Sequence, residues 1–276
     1  MVNGYYPKTL SDALVIRKEH PESLLVAGGS DVMVVKKTAE HAIFLNQIAE
    51  LKKVTKTENL LQIGAGATYV ELLNSEEIPE VLKEAIRKIA SPAIRNVGTL
   101  IGNVCNASPA GDTLPILYAF DAVVVKNSWE AGEVRVPINE FILGIRKVNL
   151  KPDEMVTAIE IPCSSYTNKQ TYYQKVGARE AEAISKLSFV GLCETENGVV
   201  TDLRVAFGSV GITVVRKKEL EEELTGLSLS DLPEKINHVI DEYDAVLHPI
   251  DDQRSTAAYR KKVCLNLLRD FLENIQ

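Results

Sequence analysis

The chain has 276 residues, 45 % of them hydrophobic, enough for one large domain or two modest ones. A formal net charge of −7 argues against a nucleic-acid footprint, which would need a basic face. No apolar run approaches the roughly 20 residues that span a bilayer, and the start of the chain, Met1 to Pro7, lacks the basic and apolar parts of a secretory leader, so a soluble cytoplasmic protein with no membrane partner is expected.

Along the chain, Ser11 can cap a short helix over residues 12–18, its oxygen taking an orphan N–H of the first turn, and His20-Pro21-Glu22 stops it. Residues 23–27 form an apolar run that reads as a buried strand ended by Gly28-Gly29. Further buried strands are expected at 42–45 and 60–63, then helical character at 68–73. Residues 80–90 read as a helix with Val81, Leu82, Ala85, Ile86 and Ile89 on one face, broken by Pro92. Strands at 122–126 and 155–161 follow, the second ending at Pro162, and the polar stretch 164–170 suits a domain boundary. Beyond it, 187–194 and 199–207 look like antiparallel strands, with Leu203, Val205 and Phe207 alternating with Arg204 and Ala206. A helix starts at Glu219 and closes at Gly226. Ser255 is expected to cap a last long helix in which Tyr259, Val263, Leu267 and Phe271 recur at helical intervals. Strands and helices mix without a regular βαβ rhythm, which predicts an α+β fold.

Two glycine-bearing stretches carry the chemistry. In Val26-Ala27-Gly28-Gly29-Ser30-Asp31 the Gly28-Gly29 pair directly follows a strand, and glycines there let successive N–H groups approach a diphosphate, with Ser30 adding a hydroxyl. A plain strand-ending turn would use the same residues. The second stretch, Gly98 to Asp112, places Thr99, Asn103, Asn106, Ser108 and Asp112 among Gly98, Gly102 and Gly111. No long charged side chain interrupts Gly98 to Gly111, so these short polar groups fit a buried ligand rich in hydroxyls, and Asp112 could accept from a ribose pair. Together the two stretches read as loops gripping one elongated, phosphate-containing cofactor from opposite sides.

Other segments read differently. Ile63-Gly64-Ala65-Gly66-Ala67-Thr68-Tyr69 imitates a dinucleotide fingerprint, but Tyr69 stands where the third glycine belongs and Glu84, at the expected distance, falls in a predicted helix, so it reads as a strand-to-helix turn. Lys175 and Arg179 are either cations for an anionic cofactor or a solvated pair with Glu180 and Glu182. His20, His41, His238 and His248 have no ligand spacing, and Cys105, Cys163, Cys193 and Cys264 form no Cys-x-x-Cys pair, so neither metal ligands nor a disulfide framework are expected. No nucleophile setting is present, so hydrolysis is not expected and no catalytic residue is assigned.

These motifs resemble, over nearly the whole chain, the FAD-binding subunit of the molybdenum hydroxylases, the xanthine dehydrogenase and carbon monoxide dehydrogenase group. Ala27-Gly28-Gly29-Ser30-Asp31 resembles the family's Ala-Gly-Gly-Thr-Asp. Ile94 to Thr99, Gly102-Asn103 and Ala107 to Asp112 resemble its second signature, and Asp252 to Arg260 its closing one. The resemblance implies a two-part α+β FAD-binding domain over 1–165, divided roughly into 1–55 and 56–165, then a smaller α+β domain with an antiparallel sheet over 170–276. It implies that backbone groups at Val26 and residues 27–31, with those around Thr99 to Asn103, bind the FAD pyrophosphate. Asn103, Asn106, Ser108 and Asp112 would meet the ribityl and ribose part, Val32, Ile89 and Val156 the flavin ring, and Lys175 the flavin itself. Partner chains would carry the molybdenum cofactor (a large subunit) and the 2Fe–2S clusters (a small one), with NAD+ as electron acceptor. One departure is Ile101-Gly102 where the family has Gly-Gly: the Ile101 side chain must point away from the phosphates. That departure motivates an alternative, a non-catalytic assembly or docking subunit with weak or no FAD binding. A free-standing flavin oxidase would need a larger substrate domain than the roughly 110 residues that remain. The cysteine-rich insert of one family branch, which holds an iron–sulfur cluster, is missing.

Overall fold

The computed structural model describes residues 2–35 and 38–276. They form two compact units: Met1–Ile78, Ala90–Ser108 and Asp121–Cys163 make the first, and Pro79–Ile89, Pro109–Phe120 and Ser164–Gln276 the second. The second unit therefore borrows two short segments from the first half of the chain.

In chain order the elements are β1 (Asn3–Tyr5), α1 (Leu10–Glu19), β2 (Leu24–Val26), α2 (Ser30–Val35), β3 (His41–Phe44), β4 (Val54–Lys56), β5 (Leu60–Gly64), α3 (Tyr69–Asn74), α4 (Glu80–Arg87), α5 (Pro92–Arg95), α6 (Leu100–Asn106) and α7 (Leu114–Ala119). Then come β6 (Val123–Ser128), β7 (Gly132–Pro137), α8 (Ile138–Phe141), β8 (Ile142–Gly144), β9 (Lys147–Val148), β10 (Met155–Pro162), β11 (Gln170–Val176), β12 (Leu187–Glu196), β13 (Val199–Gly208), α9 (Lys218–Leu224), α10 (Leu232–Val246) and α11 (Ala257–Glu273).

The first unit joins two main sheets. One is parallel, in the order β1-β3-β2, with Leu24 to Val26 beside Ala42 to Phe44. The other is antiparallel, in the order β4-β5-β10-β6-β7. Its central strand β10 is buried from Met155 to Ile161, as expected of a strand covered on both faces. The Arg17 guanidinium, whose pKa burial lowers, donates to the carbonyls of Ser23 and Glu154 and ties α1 to the start of β10. The Glu154 carboxylate accepts in turn from the buried Lys126 ammonium at 2.8 Å.

The second unit is an antiparallel sheet, β11-β12-β13, flanked by helices. The pairing predicted for 187–194 with 199–207 runs from Ser188 opposite Gly208 to Glu196 opposite Val199. Tyr243, Phe207, Phe189 and Phe271 are fully buried and meet one after another in tilted and edge-to-face contacts, with ring centroids 5.0–6.0 Å apart. The α+β class is thus confirmed.

Four local expectations need correction. Thr9, not Ser11, caps α1, its hydroxyl oxygen accepting the Asp12 N–H at 3.1 Å. Thr256, not Ser255, caps α11, its hydroxyl oxygen accepting the Tyr259 N–H at 3.2 Å. The helix at 80–90 stops at Arg87, and Pro92 does not break it but opens α5, where a proline lacks only an N–H that has no partner in a first turn. The inward stripe of α11 is Arg260, Cys264, Leu268 and Phe271, one residue later than Tyr259, Val263 and Leu267. A charged residue takes the inside position because the Arg260 guanidinium bonds the Asp252 carboxylate at 2.6 Å and the Lys186 carbonyl at 2.7 Å. Elements not anticipated include α2, α6, α7, α10, β7 and β11.

Candidate functional site

In the first unit the two glycine-bearing stretches touch. β2 is held at its end by the Leu45 N–H, which donates to the Val26 carbonyl at 2.8 Å, and the chain then passes through Ala27-Gly28-Gly29 into α2. A β-carbon at Gly28 would lie 1.9 Å from the Val97 carbonyl oxygen and 3.0 Å from the Gly98 α-carbon, so only glycine permits this approach. Gly29 takes a φ of +71°, the left-handed region where a side chain is strained. On the facing segment, the Gly98 carbonyl accepts the Tyr69 N–H at 2.8 Å, and Thr99 caps α6 by accepting the Gly102 N–H at 3.0 Å.

The sequence of α6 divides it cleanly. Leu100, Ile101 and Val104 are buried, while Gly102, Asn103 and Asn106 lie on the opposite face at helical spacing. Ile101 is 3 % exposed and packs inward, so its side chain is clear of the bare backbone at Gly102. Asn106 reaches across to the first stretch: its amide donates to Asp31 Oδ1 at 3.2 Å. Arg146, between β8 and β9, closes the triangle by donating to Asn106 Oδ1 at 3.0 Å and Asp31 Oδ2 at 3.4 Å. Its own N–H donates to the Ala107 carbonyl. The Asp31 carboxylate, which would repel a phosphate, thereby faces a cation and an amide. Val26 is buried, Ala27, Ser30, Val32 and Ser108 are half-buried, and Val156 is buried on β10 beside a register shift against β6.

In the second unit Asp112 and Lys175 form one buried pair. The Lys175 ammonium donates to Asp112 Oδ2 and to the Lys88 carbonyl, both at 2.8 Å. The Ser185 hydroxyl donates to Asp112 Oδ1. Burial pushes the Asp112 carboxyl above the usual carboxylate range, and Lys175 pulls it back. Tyr173 lies two residues before Lys175 on the same face of β11, with the Lys88 ammonium 5.4 Å from its ring centroid. Its hydroxyl is buried with no hydrogen-bond partner among the described residues, and burial raises its pKa far above the ordinary phenol value. Ile89 is half-buried just beyond Lys88. The reading of Lys175 as a solvated surface residue is therefore wrong, whereas Arg179 is exposed and bonded to the Glu182 carbonyl.

Arg146, Ser185 and Tyr173 were not anticipated. The alternation of Tyr173 and Lys175 is a strand signal, and it would have placed the tyrosine beside the lysine. Arg146 offers no such signal, because its partner Asp31 is 115 residues away. The false fingerprint behaves as expected of a turn. Gly64 closes β5 at a point where a β-carbon would meet the Leu51 carbonyl oxygen at 2.2 Å, and Thr68 with Glu71 forms a capping box on α3.

The residues present fit a flavin dinucleotide. The glycine face of the first unit keeps side chains out of two adjoining backbone segments, and the orphaned Tyr173 hydroxyl offers the second unit a buried polar group still to be satisfied.

Residues 1–164 match the family described as the FAD binding domain in molybdopterin dehydrogenase, and residues 172–275 match the CO dehydrogenase flavoprotein C-terminal domain. The xanthine dehydrogenase FAD-binding subunit of Escherichia coli O157:H7 is 32 % identical over 223 residues, covering 78 % of this chain and 76 % of its own length. The glyceraldehyde dehydrogenase medium chain of Sulfolobus acidocaldarius is 26 % identical over 263 residues, covering 93 % and 92 %. Among solved structures, reconstituted CO dehydrogenase from Oligotropha carboxidovorans shares the fold, with a TM-score of 0.89 at 24 % identity, covering 98 % of this chain and 96 % of that one.

Proposed function

The chain belongs to the family of FAD-binding subunits of molybdenum hydroxylases, and on that premise we propose that it is the flavin-carrying, electron-transferring subunit of a xanthine dehydrogenase-like hydroxylating complex. In this reading the molybdenum cofactor and the 2Fe–2S clusters belong to a large and a small partner chain, NAD+ is the electron acceptor, and the complex works in the cytoplasm. No helix among the described residues is long and apolar enough to cross a membrane. The observation that carries the proposal is the contact between Gly28 and the Val97–Gly98 backbone, which brings both glycine-bearing stretches onto one surface.

Within the first unit, the backbone at Val26, Ala27, Gly28, Gly29, Ser30 and Asp31, with that of Thr99, Gly102 and Asn103, would hold the FAD pyrophosphate. Arg146 would offset its charge, with Asn106 and Ser108 near the ribityl and ribose hydroxyls. Val32 and Val156 would line the ring. Within the second unit, Asp112 keeps lone pairs beyond those taken by Lys175 and Ser185, so it can still accept from a hydroxyl. Ile89 would supply apolar contact, and the third N–H of Lys175 a charge that tunes the flavin. FAD, when bound, supplies the exchange between one-electron and two-electron carriers. The division into 1–165 and 170–276, with the first part split near 55, is kept as the domain proposal.

The docking alternative rests on Ile101, and the inward packing of that side chain removes its motive. Purifying the native complex with this chain tagged tests the proposal. A molybdenum-containing large chain, a 2Fe–2S chain and FAD, with substrate-driven reduction of NAD+, support it. A flavin-free assembly, or one that reduces only quinones or ferredoxin, overturns the corresponding part.

A further inference from the structure

The first unit carries a second cluster, beyond the flavin reading and independent of it. His20 closes α1, Glu22 lies two residues on in the turn into β2, and His41 opens β3. Twenty-one residues separate the two histidines in sequence, yet their rings stack with centroids 3.9 Å apart and planes 15° from parallel. His20 Nδ1 and His41 Nε2 lie 3.7 Å and 3.8 Å from Glu22 Oε1, and all three atoms lie within 4.8 Å of one another. The other two ring nitrogens, His20 Nε2 and His41 Nδ1, lie 3.0 Å and 2.9 Å from the Tyr5 hydroxyl.

We propose that His20, Glu22 and His41 form a binding site for a late first-row divalent cation, Zn2+ by preference, with Tyr5 as the outer partner of both imidazoles. Two imidazoles and a carboxylate are a donor set that Zn2+ takes with water as fourth ligand. A cation on His20 Nδ1 and His41 Nε2 requires a hydrogen on each far nitrogen. A phenol oxygen has two lone pairs and can accept both, which is the outer-sphere arrangement that fixes ligand tautomers. Metal–ligand bonds of about 2.0–2.2 Å in a tetrahedron put donor atoms roughly 3.3 Å apart. The Glu22 oxygen must therefore draw in by about half an ångström on each histidine, the two ring nitrogens, within 4.8 Å of each other, must close to about 3.3 Å, and the rings must tilt. Glu22, with its side chain 58 % exposed, can move and leaves an entry path on its side. Such a cation would clasp β1, the end of α1 and the start of β3, at the end of the parallel sheet away from Gly28-Gly29.

Calorimetric titration of the chelator-stripped full chain with Zn2+ tests this, with Co2+ visible absorption reporting the ligand set. One saturable site is expected, with a higher melting temperature in Zn2+. His20→Ala/His41→Ala should lose the site, and Tyr5→Phe should weaken it about 10- to 100-fold. Glu22→Gln, at an exposed position that leaves the fold intact, should weaken binding at least tenfold. Absence of saturable binding by the wild type overturns the proposal. So does undiminished affinity in Glu22→Gln or in the double histidine variant, which would assign the metal to other groups.

Discussion

Gly28→Ala probes the contact on which the proposed flavin site depends. The added β-carbon would sit 1.9 Å from the Val97 carbonyl oxygen, and 3.4 Å is the nearest ordinary van der Waals distance. The two segments must therefore part by about 1.5 Å, and neither atom belongs to a flexible side chain that could swing aside. Overpacking of this kind costs about 1–3 kcal/mol, or roughly 5 °C in melting temperature for a unit of this size. The loss of FAD affinity should exceed the loss of stability, because a shift of about 1 Å between groups that must act together can cost on the order of 100-fold. Flavin-fluorescence titration and thermal melts of the full chain measure the two effects. Gly66→Ala is the control, since its β-carbon would meet nothing closer than 3.3 Å. If Gly28→Ala binds FAD as tightly as the wild type and melts at the same temperature, the segments are not held as described.

Lys175→Met leaves the Asp112 carboxylate buried without its cation and should cost about 3–5 kcal/mol in chemical denaturation, much of it recovered by Lys175→Met/Asp112→Leu; a loss under about 1 kcal/mol contradicts the pairing. Ile101→Gly should lower stability by about 3–5 kcal/mol without raising FAD affinity, and a large gain in affinity would restore the docking alternative. The Asp252 carboxylate is held at about 2 by the Arg254 backbone N–H, helped by the Arg260 and Arg254 guanidiniums. A depressed carboxylate stabilises the fold above its unfolded value of 3.8 and loses that contribution as pH falls through about 2. The stability gap between wild type and Asp252→Asn should hold from neutrality to about pH 4 and close towards pH 2, and a constant gap would refute the clamp. Burial pushes the thiols of Cys193 and Cys264 up to about 12, so a disulfide reagent at neutral pH should modify them only after unfolding.

Apolar runs announced the strands that matter most, because β10 is buried from Met155 to Ile161 and β5, β6, β12 and β13 each carry buried hydrophobic residues. The parallel pairing of β1, β2 and β3 was not legible, since strands of three or four residues carry no periodicity. The glycine stretches could be read because glycine is informative wherever backbone meets backbone. Partners distant in sequence could not be. Arg146 meets Asp31, and Ser185 meets Asp112, 115 and 73 residues apart, through topology rather than local pattern. The histidines show the same limit, since the 3.9 Å ring stack exists only because β3 folds back beside the end of α1. Cap positions slipped by one or two residues wherever two hydroxyl residues lay close together, as at Thr9 and Ser11, or at Ser255 and Thr256.

Equilibrium titration of the flavin-free full chain with FAD, followed by absorbance near the flavin maximum, tests the central claim most directly. One tightly held FAD per chain is the predicted result. A chain that folds yet shows no saturable uptake would contradict it.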